Sequence, residues 1–132
     1  VGNSMANLSI KDASAAITNS IFEYSKVYGL KLTNSNSTVS GSIFRNNNYL
    51  GEGGATGMLV EAGSEVLIQS SSFSDNRTGI YYSNSPIKLE NVRFENNVWG
   101  VSADSASAAL PISVSSVEFF GSGATTSPGG LW

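Results

Sequence analysis

The sequence contains no cysteine and no histidine. Disulfides, thiol chemistry and the commonest zinc ligand sets are thereby excluded. Charge is scarce as well, at 13% of 132 residues, about half the usual share. Seven basic residues stand against ten acidic ones, for a net charge of −3. That balance lacks the basic footprint that nucleic acid requires. No apolar run reaches the ~20 residues of a membrane-spanning helix, so membrane insertion is not expected. Val1–Asn7 shows no basic stretch followed by an apolar one, as a secretion leader would, and the first residue is not Met. The expectation is a mature form or an excised piece.

What remains is 40% apolar, with polarity carried by Ser, Asn, Thr and Gly. Disordered chains favour high net charge and few β-branched residues. This one has little net charge and many Val, Ile, Thr and Phe. Phenylalanine reveals a repeat. Phe22, Phe44, Phe73, Phe94 and Phe119 recur at intervals of 22, 29, 21 and 25 residues, a period that belongs to solenoids. Aligned on them, further columns appear. Five residues before stand Ile17, Val39, Ile68, Leu89 and Val114. Seven before stand Ala15, Ser37, Val66, Ile87 and Ile112. Three before stand the turn formers Asn19, Gly41, Ser70, Asn91 and Ser116. Three after stand Ser25, Asn47, Asn76, Asn97 and Ser122. A glycine follows (Gly29, Gly57, Gly79, Gly100), then alternating apolar residues such as Leu30 and Leu32.

Alternation with a period of two places one side chain in two on the inner face of a strand. Each repeat therefore reads as three short strands. The fold expected is all-β: a right-handed parallel β-helix of about five coils, forming a single domain over residues 1–132. Phe22, Phe44, Phe73, Phe94 and Phe119 would stack as an interior ladder. Asn47, Asn76 and Asn97 would form a second ladder, each amide bonding its equivalents and the turn backbone. The glycines are expected at positive φ. Glu23 with Arg45, and Arg93 with Glu118, fall in shared outward columns, as cross-strand pairs do. Extra residues at about 48–56 and 104–111 are expected to be loops projecting from one edge. Leu8 and Ile10 enter in mid-coil, and the last residues stop where another strand would begin. The expectation is a segment of a longer solenoid, joined to further coils or able to associate end to end.

The stretches Phe73-Ser74-Asp75-Asn76-Arg77-Thr78-Gly79-Ile80 and Phe94-Glu95-Asn96-Asn97-Val98-Trp99-Gly100-Val101 resemble the right-handed β-helix repeat of the pectate-lyase-like superfamily. A weaker copy runs from Ile21 to Leu30. The resemblance covers roughly residues 8–123. It implies the fold; its relatives include polysaccharide lyases, glycoside hydrolases, epimerases, tailspikes and surface proteins, so it implies no single activity.

A lyase of this kind needs carboxylates holding calcium and a basic residue, and a glycosidase needs paired carboxylates. The ten acids fall mostly in different columns; Asp104 with Glu118, or Glu52 with Glu61, could meet only through the expected loops. Calcium-binding glycine-aspartate nonapeptides are absent. No catalytic residue, metal or cofactor is expected, and the chain is not expected to be an enzyme by itself. Three glycosylation triplets, at Asn7, Asn36 and Asn76, are what chance gives in a chain this rich in Asn, Ser and Thr. Outward aromatics are the stronger hint. Tyr28 and Trp99 share a column, with Thr56 and Thr78 between them; Tyr81 and Tyr49 are further candidates. Such rings can stack on sugars. The sequence is therefore read first as a structural or adhesive scaffold segment of a secreted or cell-surface protein. The alternatives are a polysaccharide-binding segment and a fragment of a polysaccharide lyase or hydrolase.

Overall fold

The computed structural model describes residues 6–47, 55–104 and 112–121. These residues form strands and turns, without a helix among them. One five-stranded parallel sheet consists of β1 (Ala6–Lys11), β4 (Tyr28–Thr33), β7 (Thr56–Glu61), β10 (Thr78–Tyr82) and β12 (Trp99–Ala103), stacked in that order. A second, bent sheet has two limbs. The first limb stacks β2 (Ala16–Thr18), β5 (Ser37–Ser40) and β8 (Val66–Gln69); the other stacks β3 (Ile21–Glu23), β6 (Ile43–Arg45) and β9 (Ser72–Ser74). β11 (Ile87–Glu95) and β13 (Ile112–Phe120) run through both limbs without a break. The chain thus winds through about five coils, as the Phe spacing predicts.

The register agrees with the repeat. Phe22 pairs with Phe44, Phe44 with Phe73, Phe73 with Phe94, and Phe94 with Phe119. Successive rings lie parallel, with centroids 4.5–5.2 Å apart. That distance is close to the strand spacing, so the backbone ladder sets the stack. Beside it run the aliphatic columns, with Val39, Ile68 and Leu89 fully enclosed in the middle of one, while Leu30, Met58 and Ile80 line the opposite wall. At the ends of the stacks Leu8 and Val114 are exposed.

Corners are made by residues in the left-handed conformation. Asn19, Gly41, Ser70, Asn91 and Ser116 all have φ between 45° and 61° and bend the second sheet between its limbs. Tyr24, Asn46, Asp75, Asn96 and Gly121 repeat this two residues after each Phe. Asn and Asp tolerate this region and Gly has no cost there.

The column Gly29, Gly57, Gly79 departs from expectation. None of these is at positive φ; they sit inside strands. A Cβ on Gly29 would stand 2.6 Å from the Gly57 carbonyl oxygen, and one on Gly57 would stand 2.7 Å from that of Gly79. Glycine is required here by close approach between coils, with the Phe rings packed behind. The loop expected at 48–56 also shortens at one end: Thr56 opens β7 and pairs with Tyr28. Residues 48–54 and 105–111 lie outside the described residues.

Candidate functional site

The interior polar groups serve the fold. Asn76 Oδ1 accepts from the Asn47 backbone N–H at 3.1 Å and from Asn47 Nδ2 at 3.0 Å. Asn76 Nδ2 donates to the Phe44 carbonyl, also at 3.0 Å. Asn97 repeats the arrangement one coil on, donating to Phe73 and accepting from Asn76. Ser25 closes the column by donating its hydroxyl and N–H to Asn47. Asn76 is buried and fully engaged, which removes it as a glycosylation acceptor in the folded chain.

The acids do not converge. Glu23 pairs with Arg45 at 2.7 Å, as their shared column predicts. Arg93, however, turns to Glu95 two residues along its own strand and lies over the Phe120 ring, although Glu118 stands opposite it in register. Glu90 bonds Gln69 and Lys88, and these hydrogen bonds hold its carboxyl below the ordinary range. Asp12 accepts from Asn34. Asp104 accepts from the Ser83 hydroxyl beside the five-stranded sheet, whereas Glu118 lies on the bent sheet. Glu52 lies outside the described residues. Among the described residues no group of three acids, histidines or cysteines could hold a metal ion.

The aromatic candidates occupy the outer face of the five-stranded sheet. Tyr28 pairs with Thr56, Thr56 with Thr78, and Thr78 with Trp99. Tyr28 and Trp99 are half-buried at the two ends of this column, three strand spacings or about 14 Å apart; Thr56 and Thr78 lie sunk between them. Tyr81 belongs to the neighbouring outward column, Lys31–Leu59–Tyr81–Ser102. These residues, apart from Lys31, line a groove of about 430 Å³, together with Glu61, Arg77 and Ser83. Glu61 is bound by Lys31 at 3.2 Å and by the Thr33 hydroxyl. Burial, then the nearby Asp104 carboxylate, raises the Tyr81 hydroxyl above the ordinary tyrosine value. Tyr81 is therefore a neutral donor at physiological pH. Tyr28, Tyr81 and Trp99 are thus brought together along one groove; Tyr49 lies outside the described residues.

A second groove escaped sequence reasoning. It has a volume of about 490 Å³ and follows the corner before the first limb of the bent sheet, lined by Asn36, Glu65, Leu67, Pro86 and Lys88. Its signal was present in Leu67, an apolar residue at an outward position between Thr38 and Lys88.

A search of curated proteins and of solved structures finds no match to this chain. A family model described as the right-handed beta helix region matches residues 2–131. With parallel coils, a shared register and a match over nearly its whole length, the chain belongs to the right-handed β-helix family.

Proposed function

We propose that this chain is a non-catalytic scaffold segment of a secreted or cell-surface protein, a rigid rod of coils that carries its outer faces at fixed spacing. One observation carries this reading: the unbroken stack from Phe22 to Phe119, flanked by the asparagine ladder, commits the repeat-defining side chains to holding coil to coil. Glu23, Glu61, Glu90, Glu95, Asp12 and Asp104 are likewise engaged in separate local bonds. Two measurements test it. Antibody against this chain should label intact source cells or the medium, and the chain should leave pectin, alginate and related polymers uncleaved. Labelling confined to the cytosol, or release of new sugar ends, would contradict the proposal and favour an enzyme fragment in the latter case.

A second reading has its own support in the groove between Tyr28 and Trp99: the scaffold binds polysaccharide there. Half-exposed rings offer flat apolar platforms, and Ser83 and the Tyr81 hydroxyl offer polar partners beside them. Binding on a glycan array that disappears in Trp99→Ala would support it, and equal binding by that variant would sink it.

A further inference from the structure

We infer that the groove on the five-stranded sheet takes a linear, uncharged β-1,4-linked hexose chain lying along the solenoid axis, with four consecutive units needed to engage both aromatic platforms. The inference rests on the polysaccharide-binding reading and specifies its ligand.

The first argument is charge. Four ionised side chains lie at or beside the groove: Lys31, Arg77, Glu61 and Asp104. They sum to zero, Lys31 is bound to Glu61 at 3.2 Å, and Asp104 accepts from Ser83 at 2.6 Å. A polyanionic chain would meet two carboxylates, Glu61 and Asp104, along the margin where β7 and β12 end, with Arg77 on the opposite margin. An uncharged polymer gives up little hydration there, and at Tyr28 it shares the ring with the Lys31 ammonium, 5.8 Å from the centroid, without needing to break the Lys31–Glu61 pair.

The second argument is spacing. Tyr28 and Trp99 occupy one column, separated by the two strands that carry Thr56 and Thr78. Strands are about 4.8 Å apart, and an extended β-1,4-linked chain advances by about one strand spacing per unit. The first unit over Tyr28 therefore brings the fourth over Trp99. The second and third cross the sunken threonines, where a ring has no aromatic partner. A trimer reaches one platform; a tetramer reaches both, and the second contact becomes intramolecular, which multiplies affinity.

The third argument is shape. An extended β-1,4 chain turns over by half a revolution at each unit. Units one and four therefore present opposite faces to the same protein surface. A hexose with every hydroxyl equatorial has C–H groups on both faces and can stack either way. A hexose with an axial hydroxyl has one obstructed face, so it satisfies one platform and not the other. The groove thus selects the all-equatorial, gluco-type configuration.

The test is titration calorimetry of the folded chain with β-1,4-glucose oligomers of two to six units. Parallel series use the carboxylated (uronate) chain and a chain with an axial hydroxyl. Affinity should rise at least tenfold between three and four units and change little beyond four. It should be insensitive to salt and weaker for both parallel series. Trp99→Ala and Tyr28→Ala should each remove the step while leaving the weak trimer-level binding, with unchanged thermal unfolding as the folding control. A smooth rise with length, or tighter binding of the carboxylated chain, overturns this inference while leaving polysaccharide binding in place. No binding by any of the three series overturns both.

Discussion

Asn47 Nδ2 and Asn76 Oδ1 meet at 3.0 Å inside the tube, with both residues closed to solvent. The contact joins two coils through side chains at a turn where the Asn47 backbone N–H also bonds the Asn76 side chain rather than a backbone carbonyl. Each amide serves three partners, so losing one side chain strands several buried groups.

Asn76→Ala should therefore be severely destabilising. The Phe44 carbonyl loses a donor, and Asn47 loses the acceptor of both its N–H and its side chain. Stranded buried groups cost roughly 1–3 kcal/mol each, so a loss of about 3 kcal/mol or more is expected in urea unfolding. Asn47→Ser should cost less, because Ser25 already fills that column one coil away.

The glycine column gives a contrast of mechanisms. Gly57→Ala pushes a methyl group to 2.7 Å from the Gly79 carbonyl, with Phe73 and Phe44 close behind. Neither backbone nor ring can retreat, and the cost should reach or exceed the roughly 1–3 kcal/mol typical of overpacking. Gly63 is at φ +79° with nothing within 4 Å of a Cβ. Gly63→Ala should cost only the left-handed penalty, about 1–2 kcal/mol. Equal losses in the two variants would refute the close-approach explanation.

These two cases mark what was legible in the sequence. Period, register and the Phe and Asn ladders could be read because stacking repeats the same side chain at the same place. Gly57 could be located but not explained: a turn and a close approach both demand glycine, and only the distance to the next coil separates them. Arg93 shows a different limit. Register put Glu118 beside it, but a long exposed side chain has several partners within reach and took Glu95. The groove around Leu67 was missed because a concave corner depends on how successive turns lie, not on alternation within a strand.

Packing depth should be visible along the phenylalanine stack. Phe73→Ala removes a fully enclosed ring from the middle and should cost about 3–5 kcal/mol. Phe119, half-buried at one end with a single stacked neighbour among the described rings, should cost clearly less on the same change. Chemical denaturation of the two variants under one condition checks the order.

Alkaline pH should loosen the fold through Tyr82. Burial, then Asp104, raises its hydroxyl above the ordinary value of 10.0. The unfolded chain therefore releases this proton first. The stabilisation is complete below pH 10.0 and is lost as pH rises through the folded value above it. Urea midpoints measured from pH 8 to 11 should fall at the alkaline end, and Tyr82→Phe should flatten that fall. Tyr81, shifted the same way, should retain part of it.

The central claim is that one ring per coil lies directly on the next. The most direct measurement is proton–proton proximity in a sample isotope-labelled only at phenylalanine, with each ring assigned by single Phe→Leu variants. The account predicts ring-to-ring cross-peaks linking Phe22, Phe44, Phe73, Phe94 and Phe119 in that order, each to its immediate neighbours alone. A missing link between Phe44 and Phe73, or a contact that skips a ring, would contradict it.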